Sequence, residues 1–223
     1  CGLILISHEQ FNDLAKRCSE NNYQLNTHAI GDKGNRIVVD TYSKYTKSKN
    51  IRWRLEHAQM LAFKDIDRII DNNIIPSMQP SHCTSDMKWL PDRLGNHRLH
   101  RISRWKTLIN KGAKIAGGSD CPIEEGNPLF EFYAAITRQD HQGFPNNGFQ
   151  SQECVNPMEA LKMLTTWGAH AEFKENDKGK IKPGYKADLT ILSDDITQID
   201  PSKILKTEVI GTIIGGECVY KKF

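Results

Sequence analysis

The chain has 223 residues, with 30 Lys and Arg against 27 Asp and Glu and a net charge of +3, long enough for one large domain or two small ones. Its basic residues form no long run, which excludes a nucleic-acid footprint and a polybasic membrane patch, and no apolar run approaches the ~18 residues of a membrane span. Six cysteines stand at 1, 18, 83, 121, 154 and 218 without a CxxC pair, which reads as free thiols of a reducing compartment and a cytoplasmic protein.

Phe11, Leu14, Ala15 and Cys18 recur at helical spacing and predict a helix over 8–22. YQLNTHA (23–29) reads as a strand, 34–48 as a helix, IRWRLEHA (51–58) as a strand, and 64–73 as a short helix with Ile66, Ile69 and Ile70 on one face. IIPSMQP (74–80) reads as a strand, 100–111 as a helix carrying Ile102, Trp105, Leu108 and Ile109, and AKIAGGSD (113–120) as a fourth strand. Asn127-Pro128 and Asn156-Pro157 each place a capping Asn before a Pro at the first helical position. This alternation predicts parallel βα units. From about residue 179 the sequence turns β-rich, in GKIKPGYKADLTIL (179–192) and EVIGTIIGGECVYKK (208–222), with Pro-Gly and Gly-Gly turns. Between Gln79 and His100 periodicity is weak, and the stretch reads as a long loop of the kind that forms lids and binding sites. Its Trp89 and Arg98 are candidate substrate contacts, and His97 and His100 read as loop surface.

Set side by side, the strand ends carry chemistry. The first ends at His28, the second at His57 and the fourth at Asp120, and the third runs out through Gln79 and Pro80 to His82. In parallel α/β folds the C-terminal strand ends face one rim, where active sites sit. Two imidazoles and a carboxylate there suit Zn²⁺, which takes N and O ligands at about 2.0–2.2 Å. With His57 aimed at that rim, strand alternation puts Leu55 and Trp53 on its face and turns Arg54 and Glu56 outward as structural partners of the helices, unless a bulge re-aims Glu56. Asp32 is placed to cap the helix that follows His28. Cys121, beside Asp120, reads as a small packing residue rather than a ligand.

HAIGD (28–32), LEHAQ (55–59), PSMQPSH (76–82), GSDCPIE (118–124), NPLFEFYAAITRQ (127–139), NPMEALKMLTTWGAHA (156–171) and the 179–192 stretch, in this order, resemble the amidohydrolase superfamily. Within it they resemble the amidohydrolase-3 branch of YtcJ-like and N-substituted formamide deformylase proteins. The resemblance implies an α/β fold: the C-terminal part of a TIM-like (β/α)₈ barrel over residues 1–185, holding strands five to eight, with strands of a small β-sandwich over 186–223. It implies His28, His57 and Asp120 as metal ligands, and Asp120 also as the group that takes a proton from the attacking water. It places His82 in the seventh-strand loop facing the substrate, beside Gln79, Trp89 and Arg98. The cofactor implied is Zn²⁺, one or two divalent metals in the complete enzyme. The family's strand-one His-x-His pair and strand-four lysine cannot be placed here, so only part of the metal site is expected, on a chain that looks like the C-terminal portion of a longer one. The expected activity is metal-dependent hydrolysis of small-molecule amides, formamides or cyclic ureas, with no nucleic-acid or membrane partner and with self-association into a homodimer. The alternative is a non-catalytic fragment that folds or associates without turnover, and the absent His-x-His pair is the feature that separates the two.

Overall fold

The computed structural model describes residues 2–46 and 50–222. The chain runs through α1 (His8–Glu20), β1 (Asn26–Ala29), α2 (Asp32–Tyr42), β2 (Arg54–His57), α3 (Phe63–Asp71), β3 (Ile75–Met78), α4 (Pro80–Asp86), α5 (Leu90–Leu94), a 3₁₀ turn at Asn96–Arg101, α6 (Trp105–Asn110) and β4 (Ala116–Gly117). It continues through α7 (Pro128–Thr137), a 3₁₀ turn at Ser151–Glu153, α8 (Pro157–Leu164), α9 (Thr166–Ala171), β5 (Leu189–Leu192), α10 (Pro201–Ile204), β6 (Val209–Ile214) and β7 (Glu217–Lys221). One sheet has the order β1-β2-β3-β4, with β1 parallel to β2 and β2 parallel to β3. The other, β5-β6-β7, is antiparallel. The fold is therefore α/β with a parallel sheet and a short antiparallel sheet in the tail. Two compact units divide it: the first runs to Met78 and takes in Trp89–Ala116, and the second comprises Gln79–Lys88 and everything from Gly117 onward.

In the first unit α2 is stitched to the strands. The Tyr42 hydroxyl lies 2.7 Å from Thr27 Oγ1, 3.0 Å from Leu25 O and 3.1 Å from Arg54 O. Its ring meets the Trp53 indole edge to face, with centroids 4.8 Å apart, and Trp53 Nε1 donates to Tyr23 O at 2.9 Å. Trp53, Leu55, Ile66 and Ile69 are fully buried. The Asp65 carboxylate on α3 is equally buried and pairs with Arg36 of α2 and Arg68. Ser7 and Gln10 form a capping box at the start of α1.

In the second unit both expected Asn caps are present. Asn127 accepts from Leu129 N–H, and Asn156 forms a capping box with Glu159. Helix α7 packs against α4 and α8, burying Phe130, Phe132, Tyr133, Ala134 and Ala135. A run buried on every side explains why it shows no polar face.

Several expected elements are corrected. The helix over 100–111 is a 3₁₀ turn ending at Arg101 and a separate α6 from Trp105, because Ser103 adopts φ +48°. Ile102, Trp105 and Leu108 are nonetheless buried. The helix over 34–48 ends at Tyr42, and positions 47 and 48 lie outside the described residues, as does Cys1. The fourth strand shrinks to Ala116–Gly117, ending within the Gly117-Gly118 pair. The expected loop from 79 to 100 contains α4 and α5, each with a Pro in its first turn. Helices of seven and five residues are too short to register as periodicity in a window of about 11–18 residues. Cys18, Cys83, Cys121, Cys154 and Cys218 are free thiols, and among the described residues no helix is long and apolar enough to cross a membrane.

The Tyr42 hydroxyl is the testable joint. Tyr42→Phe keeps the ring packing and removes the polar link to β1 and β2. It should lower unfolding free energy by about 1–3 kcal/mol, read as a reduced urea midpoint at unchanged m-value.

Candidate functional site

Thr27 and Ala29 turn toward the helices, Thr27 to Tyr42 and Ala29 into the core, so His28 between them projects from the other face of β1 and is exposed. His57 is the last residue of β2 and stands opposite Ala29, while Glu56 stands opposite His28. Regular pleating would carry His57 to the helix side with Leu55. It does not, because His57 has φ +70° and Ala58 φ +44°, and this left-handed step re-aims the imidazole. The His28 and His57 rings consequently meet edge to face, with centroids 4.5 Å apart and planes at 73°. Left-handed backbone in a non-Gly residue costs of order 1–3 kcal/mol and concentrates at functional positions.

The alternation argument made from the sequence is thus overturned. Trp53 and Leu55 pack in the core rather than beside the histidines. Arg54 and Glu56 lie on the His28 face and pair with each other, Nε to Oε1, at 2.9 Å, with Arg54 also donating to Gln24 Oε1 at 3.2 Å. Asp32 is not the cap. Gly31 holds that position without a side-chain bond. Asp32 is the first helical residue, where its charge suits the helix dipole, and its Oδ2 lies 3.6 Å from Arg101 Nη1.

Beyond the strand ends the loops are zipped together. Met60 N–H donates to Ile30 O (3.0 Å), Leu61 N–H to Arg101 O (3.0 Å) and Ser103 N–H to Gln59 O (2.8 Å), and Met60 and Ile102 form an antiparallel bridge. Trp89 is 46% exposed at the start of α5. Arg98 is anchored locally, donating from Nε to Leu94 O at 2.6 Å. His97 and His100 are exposed on the 3₁₀ turn, as expected of surface. His100 stacks on Phe63, whose ring also carries the Arg104 guanidinium at 4.2 Å.

In the second unit His82 is the third residue of α4, not part of a loop, and its Nε2 lies 4.0 Å from Asp120 Oδ2. Gln79, buried, is the residue that enters this helix. Helix α4 is tied at both ends: Ser81 N–H donates to Glu131 Oε2 of α7 (3.0 Å), and Ser85 Oγ donates to Glu124 Oε1 (2.7 Å). Asp120 adopts φ +58° in a turn where its carbonyl accepts Ile123 N–H at 2.8 Å. The turn closes on Gly126, φ +77°, where an added Cβ would stand 3.1 Å from Cys121 Sγ. Cys121 itself is exposed rather than packed.

Glu131 escaped the sequence reading. It is 2% exposed, and burial pushes its carboxyl up to about 7, with the Ser81 hydrogen bond opposing. The available signal was a lone acid inside the apolar run PLFEFYAAI.

Imidazole nitrogen and carboxylate oxygen are the donor types that Zn²⁺ takes. The two rings, with centroids 4.5 Å apart, bring nitrogen donors of this type to adjacent strand ends. The donor chemistry fits a divalent metal.

The "Amidohydrolase family" matches residues 1–220, and the chain belongs to that family. YtcJ of Bacillus subtilis (strain 168) is 36% identical over 221 residues, which are 99% of this chain and 42% of that protein. The N-substituted formamide deformylase of Arthrobacter pascens is 25% identical over 224 residues, 99% of this chain and 41% of the relative. Among solved structures, an uncharacterized metal-dependent hydrolase from Pyrococcus horikoshii OT3 superposes with a TM-score of 0.79 at 24% identity, over 90% of this chain and 40% of its own. That likeness speaks for the fold. The chain spans less than half the length of these relatives.

Glu131 yields a pH prediction. Between the usual carboxyl range, 4.5, and about 7 the folded chain keeps a proton that the unfolded chain releases. The stability this group contributes is therefore full below pH 4.5 and is lost as pH rises through about 7, a change of about 3 kcal/mol. Glu131→Gln should remove that slope from denaturation curves measured across pH 4–8, and should leave the variant more stable than the parent at pH 8.

Proposed function

We propose that this chain supplies His28, His57 and Asp120 as ligands of a divalent metal, zinc by donor type, for an enzyme that hydrolyses carbon–nitrogen bonds of amide, formamide or cyclic-urea type. The observation that carries the reading is the edge-to-face His28–His57 pair, formed at neighbouring parallel strand ends by left-handed backbone at His57. Family membership supports the hydrolase class, and the formamide deformylase among the relatives supports the bond type. When bound, the metal lowers the pKa of water from 15.7 to about 7 and polarises the scissile carbonyl. Asp120 orients that water, takes its proton and passes it to the leaving nitrogen, a transfer worth about 10²–10⁴-fold. His82, 4.0 Å from the Asp120 carboxylate, donates to the oxyanion that develops on the carbonyl oxygen. Gln79, Trp89 and Arg98 belong to the substrate side of this reading.

A second reading, folding without turnover, is favoured by one specific observation: the sequence contains no His-x-His pair. Three protein ligands plus water is the usual catalytic zinc count, and the family's shell draws further donors from that pair. The chain alone should therefore hold zinc below one equivalent and show no appreciable amidase activity. A protein of the relatives' length carrying this sequence should hold metal and turn over. Asp120→Asn in that longer protein should abolish turnover while leaving circular dichroism and melting unchanged. Elemental analysis of both proteins, with a formamide and cyclic-urea panel, checks this. Tightly held stoichiometric zinc with turnover in the chain alone would refute the partial-site reading, and a metal-loaded but inactive longer protein would refute the hydrolase reading.

A further inference from the structure

We infer that Asn35, on the first turns of α2, is a positioning residue that sets the separation of His28 and His57. The inference rests on the metal reading above. Asn35 is fully buried. Its Nδ2 lies 2.9 Å from Ile30 O, 3.1 Å from Gly31 O and 2.9 Å from Met60 O. Ile30 follows His28 by two residues and Met60 follows His57 by three. One side-chain amide thus clamps the two loops that leave the two histidines.

The clamp stands where the sheet can no longer do this work. The last register pair of β1 and β2 is Ala29 with His57. Past it, the left-handed residues His57 and Ala58 take β2 out of extended conformation, so the ladder cannot continue. Beyond it Met60 N–H donates to Ile30 O at 3.0 Å, and Asn35 completes that junction from the helix side. Losing the amide takes the Asn35 donor from the buried Met60 carbonyl, at about 1–3 kcal/mol, while Ile30 O and Gly31 O keep the backbone N–H groups of Met60 and Asn35. The amide is accordingly hard to lose, and with it goes the constraint that holds the β2 exit against the β1 exit.

Outer groups that orient metal ligands typically change affinity 10–100-fold when removed. Asn35→Asp, which keeps the shape and loses the donors, is compared with Asn35→Ala and Asn35→Ser, all as the full 223-residue chain. Val39→Ala serves as the control, a fully buried substitution one turn further along the same helix that removes no polar group. Two readouts are taken well below each variant's melting temperature: Co²⁺ titration by visible absorbance, and the nuclear Overhauser contact between the His28 and His57 rings in metal-free protein. The Asn35 variants should bind Co²⁺ at least about 10-fold more weakly and lose the ring contact, whereas Val39→Ala should keep both. Folded Asn35 variants with parental affinity and an intact ring contact would overturn the inference. So would an equal loss in Val39→Ala, or failure of all three variants to fold, which would make Asn35 a residue of the fold alone. His28→Ala and His57→Ala separate the two levels. If neither weakens Co²⁺ binding, the metal reading fails, while the ring contact still decides the role of Asn35.

Discussion

The first unit depends on three polar side chains of α2 that tie it to the loops, to α3 and to the strands. At one end Asn35 reaches three loop carbonyls. In the middle Arg36 meets the fully buried Asp65 carboxylate of α3. At the other end Tyr42 reaches backbone or side-chain oxygens of Leu25, Thr27 and Arg54. Each is a polar group in or beside an apolar interior, where an unmet partner is costly. A single α2 placement satisfies all three, so helix and strands have little freedom to slide. The Asp65 pair is the most demanding: a carboxylate out of water is tolerable only beside its cation, and Arg68 adds a second one at 3.4 Å. This fixes which face of β1 and β2 is packed, and so which face presents His28.

The sequence made the alternation legible because its evidence is periodic: strand-like runs ending in polar residues, helices with apolar stripes, and Asn-Pro starts that both proved to be caps. His28 and His57 were legible as strand-end residues for the same reason. What they do there was not. The direction of His57 depends on one backbone angle of a residue with a side chain, and no side-chain pattern encodes φ +70°. Two-residue alternation therefore placed Arg54 and Glu56 on the wrong face. The short helices around His82 were hidden by their length, and Glu131 by its surroundings, since a charge inside an apolar helix reads as an interruption until its partner, Ser81 N–H fifty positions earlier, is known.

The second unit uses a buried acid differently from the first. Asp65 is held by cations, whereas Glu131 meets the N-terminal turn of α4, where the acceptor an N-cap would ordinarily provide comes from another helix. Gln79 makes no such cap bond. The entry of α4, and with it the position of His82, is thereby written into α7, within the NPLFEFYAAITRQ stretch that resembles the family. This gives a physical reason for such a segment to be specific without any of its side chains meeting a substrate.

Left-handed backbone serves more than one purpose in this chain. Among the described non-glycine residues with positive φ, Asn22, Asn73, Arg138 and Phe173 follow the ends of α1, α3, α7 and α9, where such a residue ordinarily satisfies the last carbonyls of a helix. Arg52, His57, Ala58, Ser103, Asp120 and Gln150 end no α-helix. At Asp120 that conformation belongs to the turn in which its carbonyl accepts Ile123 N–H, and at His57 its visible effect is to turn a side chain away from the face that regular pleating would give it. Strain of this kind persists only where the surroundings over-determine it. At His57 the surroundings are the zipped loops at Ile30, Met60 and Ile102. At Asp120 they are the turn to Ile123 and the glycine at 126. The same two positions were singled out from the sequence as ligands by a separate line of reasoning. Positive φ is shared by Arg52, Ser103 and Gln150 and is absent at His28, so what matters at His57 is its direction: the left-handed step brings the imidazole edge to face with that of His28.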